Sequence, residues 1–240
     1  MKMDRYARQK QVIHDSGQRK LKNSSVLVIG CGGLGCPTSL YLASSGVGKL
    51  SLMDDDVVSL SNLHRQILFS EQDIGKSKVK VAQEKLKCLN SDIDITAIDF
   101  RLNETNAIET IREHDLVIVG CDNFWTRFIV SNACYQLQIP YINASVLGDE
   151  GAISFYDNIN SCYQCNNPDF ESLNNIPKPA DIGVLGAMVG VIGTATATMA
   201  IEILIGNQTN FLNKHFVFDA LTLQMKSFDI EKNDTCELCG

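Results

Sequence analysis

The sequence predicts an α/β fold: a doubly wound, mainly parallel sheet carrying an antiparallel C-terminal extension. Three observations predict it. An apolar run at 26–29 leads directly into Gly30-Cys31-Gly32-Gly33-Leu34-Gly35 and then into a helical stretch, the strand–glycine turn–helix unit that opens such sheets. Short apolar runs then alternate with helically spaced ones as far as residue 143, the rhythm of repeated βαβ units. Beyond residue 150, strand signals follow one another with no helical crossover between them, and two Cys-x-x-Cys pairs frame that part.

Taken in order, residues 26–29 read VLVI, a strand covered on both faces, as parallel strands are. Residues 34–45 form a helix closed by Gly46 and Gly48, and residues 50–53 the second strand. Val79, Ala82, Leu86 and Leu89 recur at helical spacing, so 76–88 is a helix. Ile93, Ile95, Ala97 and Ile98 mark a third strand, 105–112 a helix, 116–119 a fourth strand and 124–137 a further helix. A fifth strand begins at 140–143, and 152–156, 216–218 and 225–229 read as antiparallel strands. Between these lie the irregular stretch 168–181 and an apolar segment, 182–205, whose single charge is Glu202. Its length suits a membrane span, and Gly183, Gly186, Gly190 and Gly193 would suit a packed one. A lone span sits poorly inside an α/β pattern, so a buried core helix is expected. No linker divides the chain, which reads as one domain over residues 1–240.

At 240 residues and 45% apolar, the chain can bury one sizeable core. Its net charge of −7 argues against DNA or RNA as a partner. The first twenty residues are charged throughout and lack an apolar centre, so they do not read as a secretory signal. A cytoplasmic, reducing compartment is therefore expected, where nine cysteines serve as thiols or metal ligands rather than disulfides.

A glycine loop of this kind brings backbone N–H groups and the positive end of a helix against a phosphate. Asp54 ends the second strand, where an acid grips a ribose hydroxyl. Asp56 is either a second such acid or a solvated turn residue. Gly30, Gly32, Gly33, Gly35 and Asp54 thus form a candidate nucleotide site, with residues 1–150 the nucleotide-binding part and 151–240 the extension. An amide-rich, basic segment with Asn62, Arg65 and Gln66 follows; a plain dinucleotide site has no need of it. Arg8, Arg65 and Lys78 are cations near strand ends. Asp122 stands at the end of the fourth strand, either as an N-cap for the helix from 124 or as a magnesium ligand. One acid, a phosphate loop and several cations around one crevice suit nucleotidyl transfer, because departing pyrophosphate needs cations and Mg²⁺ needs a carboxylate.

Cys162, Cys165, Cys236 and Cys239 make two pairs about 70 residues apart. Four thiolates can close a tetrahedral zinc site with no position left for catalysis, which makes the metal structural. The other five cysteines lie in or beside regular elements, most of them as small buried hydrophobes. Cys31 and Cys36 flank the phosphate turn, where a helix N-terminus can lower a thiol pKa.

On these residues the chain resembles the ThiF/MoeB/HesA family, the bacterial relatives of ubiquitin-activating enzymes. RYARQ, GCGGLG, DDDVVSLSNLHRQILF, GKSKV, CDNFWTR, CYQC, GVIGTATATMAIEIL and CELCG occur in the family's order over nearly the whole chain. The wording of DDDV and RQILF is closer to ThiF than to MoeB. The resemblance implies ATP-dependent adenylation of the C-terminal glycine of a ubiquitin-like sulfur carrier, such as ThiS or MoaD, for thiamine or molybdopterin synthesis. It implies that Asp54 holds the ribose and that Gly32 and Gly33 lie under the phosphates. Asn62, Arg65, Gln66 and Lys78 would bind those phosphates, and Asp122 would position Mg²⁺. Arg8 would act as an arginine finger from the second subunit of a homodimer, and the zinc would be structural. Family members of the ThiF type carry a cysteine in the loop before the apolar helix, where Pro179 stands here. A covalent intermediate on that loop is therefore not expected, and the acyl adenylate would pass to a separate sulfur donor, such as a cysteine desulfurase or a rhodanese-like protein.

Two other classes compete. An NAD-dependent oxidoreductase would use the same glycine loop, but His14, His64, His114 and His215 are scattered and offer no evident hydride-transfer pair. A zinc-stapled, non-catalytic scaffold would not need the full set of phosphate ligands.

Overall fold

Eight strands form one sheet in a computed structural model that describes residues 4–167 and 182–240. They are β1 (Ser25–Ile29), β2 (Lys49–Met53), β3 (Asp94–Ile98), β4 (Leu116–Val119), β5 (Tyr141–Leu147), β6 (Glu150–Tyr156), β7 (Lys214–Asp219) and β8 (Gln224–Asp229). Their order is β3-β2-β1-β4-β5-β6-β7-β8. The first five run parallel, and β6, β7 and β8 continue the sheet antiparallel. From β1 the chain winds outward through β2 to β3, then returns to place β4 on the other side of β1. This switch point leaves a crevice beyond the carboxyl ends of β1 and β4.

Both central strands are buried along their whole length, which is why they read as unbroken apolar runs. Alternate residues feed two cores. Val26, Val28, Leu116 and Ile118 face α2 (Gly35–Ser45), α3 (Lys78–Leu89) and the long helix Gly186–Ile205. Leu27, Ile29, Val117 and Val119 face α4 (Ala107–Ile111) and α5 (Phe124–Leu137).

Strand and helix positions follow the sequence pattern closely, with β4 and α5 at the expected bounds. Three differences have physical causes. Helix α4 keeps only five residues, because Asn103 and Asn106 side chains tie up the preceding backbone in turns. A helix the composition disguised, α1 (Lys10–Asn23), packs Ile13 and Leu21 on the core and breaks at His14, where φ is +59°. Its signal was the spacing of Ile13, Gly17 and Leu21 within a charged run. The apolar segment starts its regular helix at Gly186 rather than 182; after the short α6 (Tyr163–Asn166), this helix is α7.

Helix α7 is long and apolar enough to cross a membrane, with mean hydropathy 1.8, but it packs against α2 and the sheet as a core element. A Cβ on Gly193 would lie 2.5 Å from Pro37 of α2, and Thr38 Oγ1 donates to the Gly193 carbonyl at 2.9 Å. Glycine here is a contact surface for another helix.

Candidate functional site

The crevice at the switch point encloses about 540 Å³ and gathers nearly every candidate nucleotide ligand: Gly30, Gly32, Gly33, Asp54, Asn62, Arg65, Gln66, Lys78 and Asp122 all line it. Gly35 lies just beneath. Gly30 turns the chain out of β1 with φ +96°, and a Cβ there would press on the Gly120 and Cys121 backbone at 3.1 Å. Gly35 begins α2 so close to the turn that its Cβ would stand 1.9 Å from the Gly30 carbonyl oxygen. The loop can therefore bend back and open the N-terminus of α2 toward the crevice only with glycine at both places.

Asp54 closes the loop from the β2 side. Its Oδ2 accepts from the Cys31 N–H at 2.7 Å and its Oδ1 from the Asp56 N–H at 3.0 Å. A carboxylate has lone pairs beyond these two, so the acid can hold the loop and still accept from a ribose.

Asn62 and Gln66 sit four residues apart on one turn, with the Gln66 N–H donating to the Asn62 carbonyl at 2.9 Å. Asn62 Oδ1 and Gln66 Oε1 are buried and have no hydrogen-bond partner among the described residues. These orphan atoms are acceptors, which a phosphate oxygen does not satisfy; the NH₂ ends of the two amides are the groups able to donate to one. Arg65 packs its stem over Gly33 and donates from Nη1 to Ser61 O at 3.2 Å. The same Nη1 lies 2.8 Å from His64 Nε2; a guanidinium has no acceptor, so the imidazole accepts.

Lys78 begins α3 and its side chain is only 6% exposed, yet Nζ reaches Asp56 Oδ2 at 2.5 Å. The Lys78 N–H also donates to the Asp56 carbonyl at 3.1 Å. Asp56 is a largely solvated turn residue, its side chain 60% exposed, that also pairs with Lys78. It orients the buried cation toward the crevice, and Lys78 holds its carboxyl below the usual range against the cost of burial.

Asp122 corrects one expectation. It does not cap α5; Asn123 does, accepting from the Trp125 and Thr126 N–H groups at 2.9 and 3.3 Å. Asp122 is left exposed at the crevice without a hydrogen bond among the described residues. A hard cation takes such an oxygen, and these residues together fit a nucleotide triphosphate with magnesium.

Arg8 is not in this crevice. Its segment is pinned at the opposite end of the sheet, where Tyr6 Oη accepts from Asn90 Nδ2 at 2.8 Å and Gln9 donates to Ser45 O at 2.8 Å. Within one chain Arg8 does not join the other candidates. Pro179 and the loop 175–181 lie outside the described residues.

The four paired cysteines meet. Their Sγ atoms all lie within 4.8 Å of one another, with pairs at 3.3–3.8 Å. Tetrahedral Zn–S bonds of about 2.3 Å put sulfurs roughly 3.8 Å apart, so this cluster could hold zinc. Burial pushes the Cys162 thiol well up and Cys239 to about 12, a cost a divalent ion removes by displacing protons. Cys31 and Cys36 are not activated: burial outweighs the nearby helix terminus, raising Cys31 well above its ordinary value and Cys36 to about 12. Cys134 is buried too, whereas Cys88 is exposed and Cys121 half-buried on the crevice wall. The histidines stay apart, each serving locally: His114 Nε2 meets Ser51 Oγ and His215 Nδ1 meets Ser154 Oγ, at 2.8 and 2.7 Å.

Comparison with known proteins places this geometry. The model of the ThiF family matches residues 6–238. The chain is 38% identical over 240 residues to the adenylyltransferase and sulfurtransferase MOCS3 of Aedes aegypti, covering 98% of this chain and 55% of that protein. The chain thus spans about half the length of the MOCS3 proteins it matches. It is 34% identical to the sulfur carrier protein adenylyltransferase of Thermus thermophilus, covering 99% of this chain and 91% of the relative. The crystal structure of E. coli MccB with ATP superposes with a TM-score of 0.86 at 30% identity, covering all of this chain and 75% of that one. With the family model spanning almost the full length and a relative matched nearly end to end, the chain belongs to the ThiF family.

Proposed function

We propose that the protein is an ATP-dependent adenylyltransferase that activates the C-terminal glycine carboxylate of a ubiquitin-like sulfur carrier. One observation carries the reading: a single crevice combines a glycine loop, a ribose acid, two amide side chains, a buried lysine and an exposed carboxylate. Asp54 receives the ribose hydroxyls, and the N–H groups of the glycine loop receive phosphate oxygens. Asn62 and Gln66 donate to the phosphates, and Arg65 and Lys78 gather the charge that builds in the transition state. A carboxylate oxygen of the carrier bonds to the α-phosphorus, the bridging P–O bond to the β-phosphate breaks, and its electron pair leaves with pyrophosphate. Asp122 would hold Mg²⁺, which would supply neutralising charge on the phosphates.

The relatives' names support this substrate class, and molybdopterin synthesis is one setting, since a probable molybdopterin-synthase adenylyltransferase of Porphyra purpurea is 39% identical over 222 residues. Thiamine synthesis is the other. A homodimer in which Arg8 reaches the second subunit's crevice, a separate sulfur donor, a structural zinc and a cytoplasmic setting complete the reading.

Exchange of labelled pyrophosphate into ATP tests it, against a panel of small carriers ending in Gly-Gly. Exchange is expected only with a carrier present and is abolished in Lys78→Ala and Asp122→Ala. Full activity in both variants sinks the role assignments. Binding of NADH without ATP, seen by calorimetry, would instead support an oxidoreductase.

A further inference from the structure

Arg127 lies in the second turn of α5 and is 7% exposed, yet no carboxylate among the described residues pairs with it. Burying a cation without a counter-charge is costly, so its hydrogen bonds must do something that outweighs that cost. Three go to backbone, and the Tyr163 side chain also hydrogen-bonds the guanidinium. Nη2 and Nε donate to the Cys121 carbonyl at 2.8 and 3.3 Å, and Nη2 also reaches the Ala144 carbonyl of β5 at 3.3 Å. The Phe124 ring lies 5.4 Å from the guanidinium carbon.

The Cys121 carbonyl belongs to the peptide that joins Cys121 to Asp122. On the far side of Asp122, the Asn123 side chain is fixed by the Trp125 and Thr126 N–H groups. On the near side, the Gly120 N–H donates to Ile29 O at 2.9 Å. Asp122 is therefore a carboxylate without a hydrogen-bond or ion-pair partner among the described residues, on a backbone held at both flanks, and Arg127 supplies the hold nearest to it.

The geometry points to Arg127 as a positioning residue that aims the Asp122 carboxylate at the divalent cation bound with the nucleotide. This rests on the reading of the crevice as a MgATP site. Nε and Nη2 meet the Cys121 carbonyl as a rigid fork; a lysine ammonium, on a flexible stem with rotating donors, holds that carbonyl less firmly. Arg127→Lys should accordingly keep the charge and lose most of the aim.

Calorimetric titration of the full chain with a non-hydrolysable α,β-methylene ATP, in Mg²⁺ and in EDTA, reads the effect without turnover. Mg²⁺ is expected to strengthen binding to the wild type. In Arg127→Gln this enhancement should fall about tenfold, the worth of one charge-assisted contact, with affinity in EDTA nearly unchanged. Arg127→Lys should fall in between. In an Asp122→Asn background, Arg127→Gln should remove nothing further. An undiminished enhancement in folded Arg127→Gln, or losses that simply add in the double variant, overturns the inference. Should Arg127→Gln fail to fold, Arg127→Lys carries the test, and a full enhancement in it overturns the inference as well. A wild type that binds no nucleotide is a different outcome: it defeats the reading of the crevice, and the inference with it.

Discussion

Asp54 shows how one side chain can serve fold and ligand together. It ties the glycine loop to the end of β2 through the Cys31 N–H, and its remaining lone pairs face the crevice. Asp54→Ala should therefore weaken ATP binding by roughly tenfold to a hundredfold, since a charged acceptor of hydrogen bonds is worth about 1.5–3 kcal/mol. The ribose contact has its own signature. Wild-type protein should prefer ATP to 2′,3′-dideoxy-ATP in competition binding, and Asp54→Ala should lose that preference; a preference that survives would move the ribose elsewhere. Asp56 and Lys78 show the opposite division, a pair in which the exposed partner aims the buried one.

At the scale of elements, the connection from β2 to α3 carries most of the site and has little regular structure of its own. Asp73 is its anchor. It is 6% exposed, accepts from Ser70 N and Oγ at 2.8 Å each, and pairs with Lys85 of α3. The Lys85 hydrogen bond, with help from Ser70 and against the cost of burial, holds its carboxyl well below the usual range of 3.8. A carboxylate whose pKa folding depresses stabilises the protein above its unfolded pKa and loses that stabilisation as the pH falls toward its folded value. Asp73→Asn should thus cost about 1–3 kcal/mol near neutrality. Urea melts should also show a flatter loss of stability below pH 4 than in the wild type. An unchanged acid limb would mean that Asp73 carries no such linkage.

Across the whole molecule, the cysteine cluster joins segments whose sulfurs are 74 positions apart in sequence, Cys162 to Cys236. Closing so long a loop removes considerable entropy from the unfolded chain, so metal binding there should contribute to stability directly. Metal analysis is expected to give about one zinc per chain. Removing it with a strong chelator, or with Cys236→Ser, should lower the melting temperature by roughly 10 °C. A metal-free protein with an unshifted melt would overturn the zinc reading.

Most of the fold was legible because its signals are local. The run VLVI, the glycine turn and the period of Val79, Ala82 and Leu86 each report burial within one element. The cysteine spacing, too, announced a joined pair of knuckles. Helix α1 was hidden because only Ile13, Gly17 and Leu21 mark its inner face amid charges. The site was legible as a set of residues but not as a set of partners. Nothing in the spacing tells that Asn123 rather than Asp122 caps α5, because capping depends on backbone angles at adjacent positions. Nor does it tell that Asp56 aims Lys78 or that Arg127 holds the Cys121 carbonyl. By itself, then, the sequence determined the winding of the sheet, the phosphate loop and the list of polar candidates. The tertiary structure alone decided which of them meet, because hydrogen bonds between residues far apart in the chain depend on distances of a few tenths of an ångström that packing sets.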